Sequence, residues 1–274
     1  MFMKTRSVLL LALLGAGLAG CDSTTAPADD LARVSLAFST EVGGLAASRV
    51  PGEMGAPAQS VARAIDLTGS NGTLTLDEVW MVVAEFELER ANDDDCFEEL
   101  DNDSCEKFEA PPQFISLPLD GESRLSVSQD VPPDVYDELE FEVEDLNIDD
   151  DDDTQHSDEI QALFATIQGQ FPDWPGDASM LVNGSFTPTG GAAVPFSVFF
   201  EAEIEIEIEF PTPLDLTAGE VATATVIVDP ALWFRVSDGT VMDLSQLQGQ
   251  LVEFEAELEN GFTRLEFDDD NSGS

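Results

Sequence analysis

A strict alternation of apolar and acidic residues between Val194 and Phe210 constrains the fold more than any other feature of this chain. From Phe196 onward every second residue is apolar. Five glutamates occupy the positions between them: Glu201, Glu203, Glu205, Glu207 and Glu209. A period of two places the two sets on opposite faces of a β-strand, whereas a helix would scatter both around its circumference. The segment therefore predicts one long strand with an apolar face against a core.

The opposite face of this strand carries only carboxylates, and two interpretations of it are open. It can be the solvated outer face of an antiparallel sheet, which the pattern favours, or a surface that collects cations. Same-face neighbours along a strand lie about 7 Å apart, so each like-charged pair costs on the order of 0.5 kcal/mol in water. Molar salt would screen most of that cost.

The whole chain is strongly acidic, with 57 Asp and Glu against 10 Lys and Arg and a formal net charge of −47. Such a field repels nucleic acid and anionic membrane surfaces, so no nucleic-acid partner is expected. A hydrophobic content of 43% with 18 Phe is nevertheless enough for a packed core. The acidity fits either a surface adapted to high salt or divalent cations, or simple solubility of an exported protein.

The first twenty residues have the pattern of an export signal. Lys4 and Arg6 precede the apolar run Val8–Leu18, which is too short to span a bilayer. The run ends in Leu18-Ala19-Gly20-Cys21, which resembles the lipobox of bacterial lipoproteins. The resemblance implies cleavage before Cys21, acylation of its sulfur and new amino group, and anchoring in a membrane of the cell envelope. The alternative is an ordinary secretory signal with an unrelated cysteine.

The two remaining cysteines, Cys96 and Cys105, predict a disulfide, because an even number of cysteines in an exported chain is typical of a disulfide pair. It would close a loop of about ten residues and add roughly 2.5–3 kcal/mol. A thiolate metal site is the alternative.

The rest of the chain predicts a mainly β fold, an antiparallel β-sandwich with one or two short peripheral helices. We expect a tether over residues 21–30, a single sandwich domain over 31–270 with a flexible loop at 41–60, and a tail at 271–274. Apolar residues at helical spacing predict one helix after Ser157. Residues 244–259 fit either a helix or a strand, and their composition favours a helix.

Several short segments together resemble a loosely defined group of exported bacterial lipoproteins that carry a domain of unknown function. The segments are Gly72–Leu76 leading into the strand to Glu89, Asp173–Gly176, Val182–Phe186, Leu232–Phe234 with Asp238, Gly239 and Asp243, and Phe267–Asp270. The resemblance implies an exported β-sandwich similar to carbohydrate-binding modules. It implies no activity and no catalytic residues.

Aspartate clusters are the candidate metal sites, since Ca²⁺ takes six to eight oxygen ligands. The candidate ligands are Asp93, Asp95, Asp101, Asp103, Asp149, Asp151, Asp153, Asp268 and Asp270. The run from Asp268 begins like a calcium-binding loop but has no acid at the twelfth position. Calcium is thus the candidate cofactor, and solvated acidic loops are the alternative.

Aromatic residues that could stack on a sugar ring are the second kind of candidate site. Trp174, Trp233 and Tyr136 are available, and Trp174 stands between two prolines in a predicted loop. An aromatic residue in a sandwich is more often part of the core, so both roles are open. The unidentified partner would be a protein or a polysaccharide.

No catalytic motif is visible. His156 is the sole histidine, and no nucleophile pattern or phosphate-binding glycine loop is present. We therefore predict no enzymatic activity, and a binding or structural role for a lipid-anchored envelope protein. The alternative is a carboxylate-dependent hydrolase such as a glycosidase, because so many acids always include some suitably spaced pair.

Replacing Cys21 with serine tests the anchor. Cys21→Ser should leave the precursor uncleaved and unlabelled by a radioactive fatty acid, because the acylated sulfur is gone. Detergent partitioning of the substituted protein that equals that of the original would contradict the lipid anchor.

Overall fold

The computed structural model describes residues 31–41, 64–91, 107–146, 157–254 and 261–269. The strands in chain order are β1 (Ala32–Thr40), β2 (Ile65–Gly69), β3 (Gly72–Val83), β4 (Glu85–Arg90), β5 (Lys107–Ala110), β6 (Gln113–Ser116), β7 (Arg124–Val131), β8 (Val135–Val143), β9 (Met180–Pro188), β10 (Val194–Glu201), β11 (Ile204–Asp215), β12 (Val221–Val228), β13 (Leu251–Glu253) and β14 (Phe262–Asp269). The helices are α1 (Ser157–Gln170) and α2 (Pro230–Phe234). The prediction of a mainly β fold with short helices is confirmed.

The strands form three sheets. The first has the order β14-β12-β1-β7, and the second has the order β13-β10-β9-β3-β2 with β6 also paired to β3. The third has the order β11-β8-β4-β5. All ladders are antiparallel except β1 with β12 and β10 with β13, which are parallel. The sheets are thus mixed rather than purely antiparallel.

The main core lies where the apolar faces of the three sheets meet. Each sheet contributes alternate residues to it, for example Phe38 of β1, Phe200 of β10 and Phe141 of β8, all fully buried. A second, smaller cluster lies on the other face of the second sheet, under α1. Ile167 of α1 and Val82 of β3 are buried there. Strand β3 is therefore buried on both faces near its end.

The predicted long strand from Val194 to Phe210 is in fact two strands in two different sheets. β10 belongs to the second sheet and β11 to the third, and the ladder is interrupted at Ala202 and Glu203. A similar break at Ala84 separates β3 from β4. The alternation survives both breaks, which is why the residue pattern did not reveal them.

Ser179 forms hydrogen bonds at both places where the chain passes from the second sheet to the third, after β3 and after β10. Its carbonyl accepts from the Val82 N–H at 2.8 Å, just before the Ala84 break. Its backbone N–H donates to the Phe200 carbonyl at 2.9 Å, and its hydroxyl oxygen accepts from the Ala202 N–H at 3.0 Å. Ser179 is fully buried, so these bonds fix the point at which β10 leaves the second sheet.

The preference for a helix over residues 244–259 was wrong. Only Leu244–Leu247 forms a short 3₁₀ turn, which Asp243 caps through the Ser245 N–H. Leu251–Glu253 forms β13 instead, because the free edge of β10 offers it backbone partners from Phe199 to Glu201. Residues 255–260 lie outside the described residues.

β2 and β3 form a hairpin across the turn at Ser70 and Asn71, with Ile65 paired to Leu76 at one end and Gly69 paired to Gly72 at the other. Among the described residues, no helix combines the length and the apolar character needed to cross a membrane.

Removal of the Ser179 hydroxyl should destabilise the fold. In Ser179→Ala the buried Ala202 N–H loses its acceptor, which costs about 1–3 kcal/mol. Urea unfolding measures the loss, and the exposed Ser237→Ala is the control, expected within about 0.5 kcal/mol of the original protein. Equal stability of the two variants would contradict the role of Ser179.

Candidate functional site

The outer face of the third sheet collects acidic side chains because its inner face must be apolar. Ile206, Phe141 and Phe86 lie directly opposite one another across β11, β8 and β4, and their side chains face the main core. Side chains alternate between the faces of a strand. The residues between these apolar ones therefore all point away from the core.

Those intervening residues are nearly all glutamates, and the strand registers align them in rows. The first row is Glu205, Glu142 and Glu85; the second is Glu207, Glu140, Glu87 and Glu109; the third is Glu209, Glu138, Glu89 and Lys107. Three glutamates from each of β11, β8 and β4 and one from β5 make ten in all. We call these ten residues with Lys107 the glutamate face.

Lys107 supplies the positive charge of the glutamate face. Its Nζ lies 2.7 Å from Glu87 Oε1 and 3.7 Å from Glu109 Oε1. Glu87 is only 5% exposed, so its carboxylate is compensated by this ion pair. Within the described part of the sheet, one ammonium group thus faces ten carboxyl groups.

The carboxyl groups come close to one another in three sets. In each set, one oxygen from every member lies within 4.8 Å of the others. The sets are Glu85 with Glu87 and Glu109, Glu138 with Glu140 and Glu207, and Glu140 with Glu142 and Glu205. Two like charges about 5 Å apart repel by about 0.8 kcal/mol in water, and by more where the site is partly desolvated.

Burial, and after it the crowding of like charges, raises the pKa values of the central carboxyls. Burial raises the pKa of Glu140 to about 7, with further contributions from the charges of Glu87, Glu205 and Glu142. Burial likewise raises the pKa of Glu144, just beyond β8, to about 7. The pKa values of Glu87, Glu138 and Glu142 are also raised, with burial again the main cause.

Two chemical capacities follow from this arrangement. A proton can be shared between neighbouring carboxyls, and Glu140 and Glu205 are placed to hydrogen-bond through one. Hard cations can also be held, since they prefer oxygen ligands. The three close sets are the residues that could hold them.

The predicted lipidation site, the predicted disulfide and most of the predicted metal ligands lie outside the described residues. These are Cys21, Cys96 with Cys105, and Asp93, Asp95, Asp101, Asp103, Asp149, Asp151, Asp153 and Asp270. Asp268 lies in β14, where its backbone pairs with Thr223 of β12. The other residues of the expected calcium loop, from Asp270 onward, lie outside the described residues, so the loop stays a prediction.

The expectation that Trp174 forms a stacking surface is corrected by its position. Trp174 is 4% exposed and belongs to the cluster under α1. The rings of Phe114, Phe171 and Phe199 lie within 5.2–6.2 Å of its ring. Trp233 and Tyr136 are also buried. All three aromatic side chains pack in a core, which was the alternative for each.

The residue pattern pointed to the glutamates of β11, and their partners on β8 and β4 went unrecognised. The signal was present in Glu85, Glu87 and Glu89, which alternate with Phe86 and Leu88 as in the other two strands. No residue pattern shows that the three strands are neighbours, however. That adjacency turns three separate rows of charge into one surface.

Comparison of the chain with descriptions of protein families, with curated proteins and with solved structures finds no match. The role of the glutamate face is therefore inferred from its own residues.

The raised pKa of Glu140 predicts how stability depends on pH. Between about 4.5, the ordinary value, and about 7 the folded state binds more protons than the unfolded state. The free energy of unfolding should therefore fall as the pH rises through this window at low ionic strength. Glu140→Gln should flatten this dependence and add on the order of 1 kcal/mol near pH 8, after allowance for solvent screening.

Thermal melts across this pH range measure the effect. The matched control is Glu122→Gln, which removes an exposed charge from the loop before β7, a strand of the first sheet. Melting temperatures of the original protein that rise through the same window would contradict the raised pKa of Glu140.

Proposed function

We propose that this protein is a lipid-anchored, non-enzymatic protein of the bacterial cell envelope whose glutamate face collects cations, calcium among them. The single observation that carries the cation-collecting role is the alignment of ten carboxyl groups and one ammonium group on one sheet face. The exported, anchored location rests on the resemblance of Leu18–Cys21 to a lipobox.

The geometry favours a layer of cations over a single tight site. The carboxyls repeat at every second residue along each strand. Those of the edge strand β11, at Glu205, Glu207 and Glu209, are exposed. A tight calcium site instead surrounds one ion with six to eight oxygens. A regular array of exposed and half-buried carboxyls holds several exchangeable ions, with affinities in the millimolar range typical of extracellular calcium modules.

The arrangement of the acidic side chains supports a non-enzymatic role. Glycoside hydrolysis needs two carboxyls with distinct environments on either side of one bond. Here the close sets repeat along a sheet in which β8 has a glutamate-bearing strand on each side. A carboxylate-dependent hydrolase is the alternative function, and hydrolysis of a glycan substrate that Glu140→Gln abolishes would favour it.

Calcium binding to the purified full-length protein tests the cation role. We expect several ions per molecule with dissociation constants on the order of 1 mM, displaced by Mg²⁺ and by molar NaCl. The variant Glu138→Gln with Glu140→Gln and Glu142→Gln should lose most of this binding. It removes the three carboxylates of β8, which lie between those of β11 and β4.

The matched control removes three exposed charges elsewhere, by Asp77→Asn, Asp173→Asn and Asp177→Asn. It should keep most of the binding. Calorimetry or equilibrium dialysis measures both variants. Equal loss in the two would mean that calcium responds to net charge alone, and the proposal for this face would fail.

A further inference from the structure

Three turns meet at one end of the second sheet, and we call residues 70–71, 189–195 and 235–240 the tip. Asn71 joins them. Its side-chain amide donates to the Val241 carbonyl at 2.8 Å, and its side-chain oxygen accepts from the Val241 N–H at 2.9 Å. Its backbone carbonyl accepts from the Thr189 N–H at 3.0 Å. A Cβ atom at Gly69 would come within 2.6 Å of the Val241 nitrogen, so only glycine allows this close approach. The three turns are therefore fixed to one another.

The tip differs in charge from the rest of the chain. Its fifteen residues include only two charged ones, Arg235 and Asp238, so its formal charge is zero, whereas the whole chain carries −47. It also exposes apolar side chains, since Val194 is 45% and Val236 is 43% exposed. Contact between two acidic surfaces is opposed by repulsion. At the tip, two copies of the chain can touch without placing acid against acid.

Arg235 stands apart from the other basic residues. Among the basic side chains that the structure describes, the other four each contact a carboxylate: Arg33, Arg90, Lys107 and Arg124. Arg235 makes no such ion pair within that part of the chain and donates to the Thr68 carbonyl at 3.1 Å. Asp238, also exposed, accepts from the N–H and the hydroxyl of Thr240. One exposed hairpin thus carries a guanidinium and a carboxylate that do not pair with each other.

We propose that the tip is an interface between two copies of this chain. A two-fold contact presents the same residues from both copies, so Arg235 of each copy lies against Asp238 of the other. These two ion pairs use both charged side chains of the tip, and the contact covers Val194 and Val236. Fifteen residues from each copy are fewer than the roughly 20–30 of a standard interface, so the dimer is weak and reversible.

The topology keeps the tip accessible when the chain is anchored. β1 begins at Ala32, and β12 runs parallel to it and ends at Val228, from which α2 leads to the hairpin of the tip. The tip therefore lies beyond the end of the first sheet opposite Ala32, where the tether from Cys21 begins. This orientation rests on the proposed function, whereas the pairing of the two tips does not.

Sedimentation of the purified full-length protein in detergent tests the pairing, with micelles in excess over protein and about 0.5 M NaCl to screen the repulsion between the chains. We expect a dimer fraction that rises with concentration up to about 0.5 mM. Arg235→Asp and Asp238→Arg should each weaken the dimer at least about tenfold, because each sets like charges against one another in both pairs. An equimolar mixture of the two variants should associate again, since opposite charges then face each other.

The matched controls reverse charges at the other end of the first sheet. Arg33→Asp and Asp130→Arg alter an exposed ion pair of 2.7 Å between β1 and β7 and should associate like the original protein. The proposal is overturned if the original protein stays monomeric at about 0.5 mM, if the mixture of tip variants associates no better than either alone, or if the controls weaken association equally. Failure of fatty-acid labelling at Cys21 is a separate result, which contradicts the anchor and not the pairing.

Discussion

Burial of alternate apolar residues on β4, β8 and β11 is the constraint from which the other features of this protein follow. The hydrophobic gain of placing Phe86, Phe141 and their neighbours in one core is of the order of 1.5–3 kcal/mol for each large side chain. Because a strand has a period of two, the same placement gathers the glutamates on the other face. The core therefore offsets a repulsion that its own geometry creates.

The crossings between sheets decide which strands share that face. β4 and β11 both enter the third sheet directly from strands of the second sheet, β3 and β10. Ser179 fixes both points at which the chain leaves the second sheet, through hydrogen bonds to Val82, Phe200 and Ala202. β3 and β10 flank β9 in the second sheet, and their continuations β4 and β11 flank β8 in the third, so three glutamate-bearing strands become adjacent. A single buried serine thus helps to bring the glutamate-bearing strands β4 and β11 into the third sheet.

A surface of this kind joins three properties that are usually treated separately. Protonation, cation binding and strand pairing all change the same repulsion between neighbouring carboxyls, so each is thermodynamically linked to the others. Lys107 and the buried Glu87 form an ion pair on the β4–β5 side of the face, and β11 lies at the opposite edge of the sheet.

The sequence by itself determined the mainly β class, the face of each strand that is buried, and the position of α1, because these depend on periodicities of two and 3.6 within short segments. It also showed the glutamates of β11 as neighbours about 7 Å apart along one strand. It could not reveal that Val194–Phe210 divides between two sheets, since the alternation continues through Ala202. Nor could it separate helix from strand at Leu251–Glu253, where backbone pairing with the edge of β10 favours the strand. Only the tertiary structure placed Glu140 between Glu87 and Glu207, because the adjacency of β4, β8 and β11 arises from long-range pairing and not from any local pattern.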